Sequence, residues 1–276
     1  MENYSVLMSV YYKEKADYLR ESIQSMLEQT VPPDDFVLVC DGPLNEELDE
    51  VIADYERRFP CVFQIVRLDT NMGLGNALNI GIRYCKNELI ARMDSDDISL
   101  PGRCELQLKK FAEDQELDIV SGTIIELDNT SEDNVTYKSV PENNEDIYRY
   151  AKIRSPFNHA TVMYKKKAVE LAGGYRDFLL FEDYYLWVRM LQQNAKGFNF
   201  QQPLYLVRTD TALYERRGGL KYFKQVFAFR NYLLKTHFCN IFQYIVALVG
   251  QAIICFVPTK VRGFMYKKLL RKQVHQ

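Results

Sequence analysis

The chain has 276 residues, of which 47% are hydrophobic and 26% are charged, so it can bury a sizeable core and does not have a disordered composition. It carries 35 lysines and arginines against 37 aspartates and glutamates. This near-neutral balance argues against a dedicated nucleic-acid-binding protein, since such proteins usually have a basic excess.

The N-terminus and the cysteines favour a cytosolic setting. The opening residues, MENYSVLMSVYYKE, have no basic region and no cleavage site, so we expect no signal peptide. None of the six cysteines forms a C-x-x-C pair, and several lie inside apolar runs. This pattern is typical of free, buried thiols in a reducing compartment.

Strand and helix patterns alternate through the first 100 residues. The runs YSVLMSV, DFVLVCDG, VFQIVRL and ELIARM predict four strands. Helices are predicted between them: the first around Leu19 and Ile23, the second over NEELDEVIADYERRF, and the third with Leu74, Leu78 and Ile82 on one face. This alternation predicts an α/β fold, a mostly parallel sheet with helices on both faces.

The second half of the chain is less regular. The polar stretch from Glu126 to Asp146 predicts a long loop or lid. After it come a strand-like ATVMYK, a helix from about Glu182 to Gln193, a strand at PLYLVR, and helices to the end. We predict one domain over residues 1–215, with halves of about 1–100 and 101–215, and a helical region over residues 216–276.

Polar side chains follow three of the predicted strands, at the edge where open parallel sheets bind ligands. Glu14 lies just past the first strand, Asp41 follows the second, and Asp94 and Asp96 follow the fourth. Asp41-Gly42-Pro43 alone favours an ordinary turn. Three such positions on one edge of one sheet indicate a binding site.

The spacing of Asp94 and Asp96 predicts a metal site. In an extended segment, residues i and i+2 project in the same direction, so both carboxylates would enter one cleft. Hard oxygen ligands suit Mg²⁺ or Mn²⁺, which bind phosphorylated ligands through one or two carboxylates. The alternative is a solvated turn in which Asp97 or Ser99 caps a helix that begins near Pro101.

Five motifs occur in a specific order: SVYYKE (9–14), VCDG (39–42), NMGLGNALNIGI (71–82), RMDSDDIS (92–99) and FEDYYLW (181–187). In this order they resemble the family 2 glycosyltransferases of the GT-A fold, over Ser5 to Arg217. The resemblance is strongest to bacterial enzymes that build capsule, exopolysaccharide or O-antigen units. It implies a nucleotide-sugar half over about 1–100 and an acceptor half over about 101–215.

The resemblance implies a UDP-sugar donor and Mn²⁺ or Mg²⁺. Asp41 resembles the residue that reads the uracil, Asp94 the residue near the ribose and the metal, and Asp96 the direct metal ligand. Many relatives have arginine in an A-R-N segment where this chain has Leu78, so a donor contact through that arginine does not carry over. The other positions in the implied donor site are Tyr11, Glu14, Asn71, Gly73 and Ser95.

The resemblance also implies an inverting transfer with Asp183 as the catalytic base, beside Glu182, which touches a sugar hydroxyl. The metal would neutralise the departing diphosphate, and the base would take a proton from the acceptor hydroxyl. Phe181 and Trp187 enclose the pair in aromatic surface, and Trp187 is expected to present a sugar or the acceptor. The alternative is that the two acids only stabilise a helix N-terminus.

Three basic residues are candidates for binding the diphosphate. His159 could contact a phosphate oxygen or the metal, or it could be a structural histidine. Arg216 and Arg217 could clamp the diphosphate or form an exposed basic turn before two glycines. The Q-x-x-R-W motif that processive relatives carry near here is absent from the sequence, so we expect the addition of a single sugar.

The C-terminal region combines an apolar segment with a basic one. As a helix, Ile241–Val257 would span roughly 25 Å, short of the roughly 30 Å hydrocarbon core. The segment TKVRGFMYKKLLRKQ, with its basic and aromatic residues, suits an anionic membrane surface. We predict peripheral binding to the cytoplasmic face of the membrane. The alternatives are helices packed on the catalytic domain and a full span.

That placement favours a glycan or polyprenyl-diphosphate-linked acceptor. Two other classes stay open. A sugar nucleotidyltransferase would share the sheet and the metal, but its usual glycine-rich loop is absent from SVYYKEK. A non-catalytic nucleotide-sugar-binding protein is disfavoured by the presence of Asp94, Asp96 and Asp183. A dehydrogenase is disfavoured because no G-x-G-x-x-G follows the first strand.

Overall fold

The computed structural model describes residues 2–128, 135–178, 180–209, 218–259, 261–263, 265 and 272–273. Within these residues the strands join one sheet, and helices cover it. The strands are β1 Tyr4–Val10, β2 Asp35–Cys40, β3 Phe63–Arg67, β4 Leu89–Asp94, β5 Ile98–Ser99, β6 Leu117–Asp128, β7 Val135–Lys138, β8 Met163–Lys165, β9 Lys196–Thr209 and β10 Lys272–Gln273. The helices are α1 Ala16–Leu27, α2 Glu46–Arg58, α3 Leu74–Tyr84, α4 Arg103–Glu113, α5 Asn144–Tyr150, α6 Lys166–Leu171, α7 Glu182–Gln192, α8 Gly219–Lys235 and α9 Ile241–Phe256.

The sheet has a parallel half and a mixed half. The strand order is β10-β7-β6-β8-β4-β1-β2-β3, and the four strands β4, β1, β2 and β3 are mutually parallel, as predicted for the first 100 residues. In the second half, β8 lies antiparallel between β4 and β6, while β9 is parallel to β6 and antiparallel to β5. The α/β fold class is therefore confirmed, and the antiparallel pairings all involve strands that follow β4 in the chain.

Helices cover both faces of the parallel half, because side chains alternate along each buried strand. In β1, Leu7 belongs to the core under α3, whereas Val6 and Met8 belong to the core with Leu19 and Ile23 of α1. The third helix lies very close to the sheet, since a Cβ added to its Gly81 would be 2.4 Å from Leu7 Cδ1. A glycine at 81 therefore sets how closely α3 packs.

The prediction of one long loop from Glu126 to Asp146 is wrong. The described residues of this stretch form the end of β6, the antiparallel strand β7 and the start of α5 at Asn144, while residues 129–134 lie outside the description. Polar β-branched residues explain the error, because Thr136 donates a buried hydrogen bond to Glu126 across the strand pair, at 3.2 Å. The polar composition of this stretch therefore did not reveal β7, whose polar side chain Thr136 is hydrogen-bonded to Glu126 of β6.

The two C-terminal helices pack differently. Phe229 of α8 is fully buried and stacks on Phe181, with ring centroids 5.0 Å apart, so α8 is part of the main core. The next helix, α9, begins with a capping box at Asn240 and is joined to α8 by a hydrogen bond from Tyr244 to Asn231. Of the helices in the described parts of the chain, none has both the length and the hydropathy to cross a membrane.

Candidate active site

The ends of β2, β1 and β4 bring the predicted site residues to one edge of the sheet. Register pairs Ser9 with Asp94 and Val10 with Cys40, so the loops after these three strands are neighbours. The loops after β1 and β4 are tied together, because Ser95 Oγ donates a hydrogen bond of 2.6 Å to Glu14 Oε2. The strand order thus places Glu14, Ser95 and Asp94 side by side.

Asp94 is held by a buried arginine that the sequence reasoning missed. Both guanidinium nitrogens of Arg92 bind the Asp94 carboxylate, and Arg92 is only 2% exposed. Burial works against the charge of Arg92, but the Asp94 carboxylate together with Tyr205 and Tyr175 outweighs it, so the pKa of the guanidinium is raised. The Asp94 backbone N–H donates to Tyr205 Oη at 3.1 Å. The only sequence signal for this support was an arginine inside an otherwise buried strand.

A second buried arginine supports the first. Arg103, at the start of α4, donates from one nitrogen to the carbonyl oxygens of Arg92 and Val162, at 2.7 and 3.2 Å. Its guanidinium lies 5.2 Å from the ring centroid of Tyr205. Arg103 therefore fixes the backbone of β4 next to the Arg92–Asp94 pair.

Asp96 lies near Asp94, although β4 does not extend to it. The strand ends at Asp94 and Asp96 lies in a turn, so the extended spacing used to pair the two carboxylates is wrong. The turn still crowds them: burial, and then the negative charges of Asp94 and Glu14, raise the pKa of Asp96 to about 7. The local geometry differs from the expectation, but acidic side chains do converge here.

The helix-capping alternative for Asp97 and Ser99 is also wrong. Asp97 accepts a hydrogen bond from the backbone N–H of Arg208 at 2.9 Å, and Ser99 belongs to β5. The fourth helix begins at Arg103 after Gly102, with no side-chain cap. Burial and the negative charge of Asp94 raise the pKa of Asp97. Asp97 therefore joins β9 to the acidic turn.

The donor set at this turn fits a hard divalent cation. The carboxylates of Asp94 and Asp96 are close enough for the first to raise the pKa of the second, and a cation between these two would relieve that repulsion. Across the described residues, no group of three or more His, Cys, Asp or Glu side chains is arranged to hold a metal alone. Such a site suits Mg²⁺ or Mn²⁺, which complete their coordination with substrate phosphates and water.

Asp41 fixes the loop before α3. Its buried carboxylate accepts hydrogen bonds from the backbone N–H groups of Met72 and Gly73, at 2.7 and 3.0 Å. Gly42 has a φ of 88°, and a Cβ there would lie 2.7 Å from the nitrogen of Asn71. The VCDG and NMGLG motifs therefore pack directly together. Uracil recognition by Asp41, and donor contacts by Asn71, Gly73 and the exposed Tyr11, stay predictions.

Asp183 faces a cleft of about 500 Å³ whose lining also includes Asp94 and His159. It lies in the first turn of α7, next to Glu182, which packs against Gly75 of α3. Burial, and less strongly the charge of Asp183, raise the pKa of Glu182. The structure thus brings Asp94, from β4, and Asp183, from the second half of the chain, to the same cleft.

Trp187 does not present a sugar, so that prediction is wrong. Its side chain is fully buried and makes edge contacts with Phe157 and His159, at centroid distances of 5.7 and 5.8 Å. It lies one helical turn after Asp183, on a face of α7 that enters the core. FEDYYLW is aromatic on several faces, so its sequence could not show which ring is exposed.

His159 lies in the cleft wall, above Trp187. Its Nε2 forms a hydrogen bond of 2.9 Å with Tyr175 Oη. Burial, and then the positive charge of Arg92, lower its pKa well below the usual value, so the imidazole is neutral at pH 7. A phosphate or metal contact by His159 stays a prediction. The proposed clamp residues Arg216 and Arg217 lie outside the described residues.

Asn79 is a further residue that sequence reasoning missed. Its side-chain amide donates to the carbonyl of Tyr175 at 2.6 Å and accepts from the backbone N–H of the same residue at 2.7 Å. This two-point contact joins α3 to the turn that holds Tyr175 beside His159. Leu78, the neighbour that replaces the arginine of many relatives, is fully buried.

Comparison with known proteins defines the class. The sequence profile described as Glycosyl transferase family 2 matches residues 5–171. The UDP-Gal:alpha-D-GlcNAc-diphosphoundecaprenol beta-1,3-galactosyltransferase of Escherichia coli is 35% identical over 98% of this chain and 97% of its own. The amylovoran biosynthesis glycosyltransferase AmsE of Erwinia amylovora is 35% identical over 96% of this chain and 98% of its own. The chain belongs to glycosyltransferase family 2 and is a glycosyltransferase.

Solved structures agree with the GT-A-like fold. One solved structure is the mannosyltransferase PcManGT of Pyrobaculum calidifontis in complex with GDP-Man and Mn²⁺. Its superposition covers 98% of this chain and 82% of the PcManGT chain, with a TM-score of 0.62 and 16% sequence identity. S. aureus TarS with UDP matches 78% of this chain and 63% of its own at a TM-score of 0.58 and 18% identity. The family and the fold expected from the sequence are therefore confirmed.

Proposed function

We propose that this glycosyltransferase moves one sugar from a UDP-sugar to a sugar linked to polyprenyl diphosphate, with inversion, during synthesis of a cell-surface polysaccharide. The observation that carries the proposal is the shared cleft of Asp94 and Asp183. The printed name of the Escherichia coli relative, which is similar over nearly the whole chain, supplies the kind of donor and acceptor.

In this proposal the acidic turn binds the donor. Asp94 and Asp96 would hold Mn²⁺ or Mg²⁺, which supplies positive charge at the departing diphosphate when bound. Arg92 fixes the orientation of the Asp94 carboxylate through its two hydrogen bonds. Glu14 and Ser95 join the neighbouring loop to this turn. The loop that Asp41 secures would hold the nucleoside at the outer edge of the sheet.

Asp183 would act as the base in the same cleft. Its carboxylate accepts the proton of the acceptor hydroxyl as the oxygen bonds to the anomeric carbon and the bond from that carbon to the diphosphate oxygen breaks. One displacement from the face opposite the diphosphate inverts the anomeric configuration. A neutral His159 beside the cleft avoids an added positive charge near the base.

We further propose that the protein lies peripherally on the cytoplasmic face of the membrane. Large apolar side chains on one face of α9 are exposed, with Phe242 at 72% and Phe256 at 59%. A contiguous exposed apolar stripe followed by a basic segment is typical of a helix lying in a membrane interface. Exposed members of this stripe are Ile241, Phe242, Ile245, Val246, Val249, Ile253 and Phe256.

A transfer assay tests the proposal. Purified full-length protein is given a panel of UDP-, GDP- and dTDP-sugars, led by UDP-galactose, and a synthetic GlcNAc-diphosphate-lipid acceptor, with and without Mn²⁺. We expect transfer from one UDP-sugar only when metal is present, and an anomeric configuration in the product, measured by NMR, opposite to that of the donor. Retained configuration, or equal transfer in EDTA, would contradict the mechanism.

A second arm of the assay separates the rival enzyme class. A sugar nucleotidyltransferase would join UTP and a sugar 1-phosphate and release pyrophosphate. We expect no pyrophosphate from such a mixture. Pyrophosphate release, without sugar transfer to any acceptor, would contradict the proposed transfer reaction.

A further inference from the structure

The lining of the active-site cleft includes both acidic and basic side chains. Asp94 and Asp183 are among the acidic residues, and Arg154 and Arg230 are among the basic ones. The two aspartates serve the donor and the proton transfer proposed above. The two arginines have no part in that chemistry, so their presence in the lining needs another explanation.

Arg230 positions the loop that carries Arg154. It is only 1% exposed and extends from α8. Its Nη2 donates to the carbonyl of Ile153 at 2.5 Å, and its Nη1 lies 3.5 Å from the carbonyl of Lys152. These contacts fix the backbone on the N-terminal side of Arg154. Arg230 is therefore a positioning residue, and Arg154 is the arginine it places at the cleft.

Arg154 has no carboxylate within ion-pair distance among the residues that the structure describes, and its guanidinium lies 5.8 Å from the ring centroid of Tyr150. Arg149, one turn earlier on α5, differs in this respect because it is paired with Asp146 at 3.0 Å. A guanidinium in a cleft wall without a counter-ion is suited to a phosphate group, which it binds through two parallel hydrogen bonds.

The same cleft reaches the apolar helix. Gln251 of α9 contributes to the lining, while Ile245, Val249 and Ile253 of the same helix are exposed at 51%, 53% and 52%. A ligand in this cleft therefore has a base and a cation beside it, and the helix at Gln251 carries the apolar stripe on its other side. A base, a cation and a nearby apolar helix suit a sugar, a phosphate group and a lipid chain.

We propose that Arg154 binds the diphosphate of a lipid-linked acceptor. The inference rests on the proposed function and names the subsite that recognises this acceptor class. The donor also carries a diphosphate, but the proposed function assigns that group to the acidic turn of Asp94 and Asp96, and the nucleotide edge around Asp41 and Asn71 does not line this cleft. Arg154 lies instead on the wall formed by the α5 loop and α8, and the acceptor is therefore the assigned source of the phosphate.

The test compares Arg154→Gln with the matched control Arg149→Gln in the full-length protein. Two acceptors of equal alkyl length are used, GlcNAc-diphosphate-alkyl and the uncharged GlcNAc-O-alkyl. We expect Arg154→Gln to raise KM for the diphosphate acceptor by roughly ten- to a hundredfold, and to leave KM for the uncharged acceptor nearly unchanged. Arg154→Lys should recover part of the loss, and Arg149→Gln should behave as wild type.

Calorimetry with UDP and Mn²⁺ tells whether Arg154 binds the diphosphate of the donor or that of the acceptor. We expect equal UDP affinity in wild type and Arg154→Gln. A parallel loss with both acceptors, an unchanged KM for the diphosphate acceptor, or a fall in UDP affinity would each overturn the assignment. Thermal unfolding of Arg154→Gln should match that of Arg149→Gln. Wild-type protein that transfers to neither acceptor would overturn the proposed function, and this inference with it.

Discussion

At the scale of single residues, buried arginines organise the site. Arg92 and Arg103 are each at most 2% exposed, yet they lie directly behind the acidic turn. An ion pair that is removed from water depends on good geometry, because desolvation is costly and a lost partner leaves a buried charge. The fixed orientation of Asp94 therefore depends on the planar guanidinium of Arg92.

Arg92→Lys tests this dependence. A lysine cannot form two parallel hydrogen bonds with Asp94, so we expect the free energy of unfolding to fall by about 1–3 kcal/mol, measured by urea denaturation. The control is Arg67→Lys, because Arg67 and its partner Asp49 are both about half-exposed and such pairs contribute only ~0–1 kcal/mol. Equal losses in the two variants would show that the buried geometry has no special weight.

Asp183→Asn tests the proposed base. The amide cannot accept the proton in the transition state, so we expect kcat to fall by a factor of roughly a hundred or more. Donor affinity should stay close to that of wild type, because only the proton transfer is impaired. Loss of donor affinity in step with kcat would make Asp183 a binding residue.

Asp96→Asn tests the metal site. Removing one of the crowded negative charges should leave the fold intact and abolish most of the Mn²⁺-dependent gain in UDP affinity, measured by calorimetry. UDP binding in EDTA should be the same in wild type and variant, which serves as the control. A Mn²⁺ effect of wild-type size in the variant would rule out Asp96 as a ligand.

At the scale of elements, the strands of the parallel half were predictable, and so were β8, which lies within ATVMYK, and β9, which contains PLYLVR, whereas β5 and β7 were not. The strands β1 to β4 are five to seven residues long and strongly apolar. A helix with regular apolar spacing connects each of these four strands to the next one among them. By contrast, β5 and β7 have two and four residues, too few to show a period. The Arg92–Asp94 pair escaped prediction because a buried charge depends on tertiary neighbours rather than on spacing.

The exposed apolar stripe on α9 can be tested by substitution. Replacing Ile245 and Val249 with aspartate should weaken binding to anionic phosphatidylglycerol vesicles, measured by co-sedimentation, because apolar area is lost and negative charge is added. Leu171→Asp is the control, since Leu171 is 67% exposed on α6. High salt should weaken wild-type binding only in part, because screening leaves the apolar contribution intact. Vesicle binding unchanged by the double substitution would contradict a membrane role for α9.

At the scale of the whole molecule, α8 connects the C-terminal helices to the catalytic core. Phe229 lies against Tyr184 and Phe181, with ring centroids 4.7 and 5.0 Å away, and both of these residues also line the active-site cleft. The helix therefore completes the core around α7. The predicted boundary between residues 215 and 216 lies outside the described residues and stays a prediction.

Phe229→Ala should destabilise the whole protein. Loss of a fully buried ring leaves a cavity and should lower the free energy of unfolding by about 3–5 kcal/mol. Phe227→Ala is the matched control on the same helix, and because Phe227 is 45% exposed it should cost much less. A small effect at Phe229 would mean that α8 is dispensable to the core, and truncation before it would then be tolerated.

The packing of α8 between α7 and α9 has a geometric consequence for acceptor choice. Because α7 carries Asp183 and α9 carries the apolar stripe, the proposed membrane binding through α9 and the proposed role of Asp183 would together let the protein, rather than the ligand, set the height of the reactive hydroxyl above a bilayer. The enzyme would then select acceptors by length, because it would accept a growing glycan only when the terminal sugar lies at that height. A chain one or two sugars longer would carry its end past the base, so each such enzyme would add its sugar at one step of assembly.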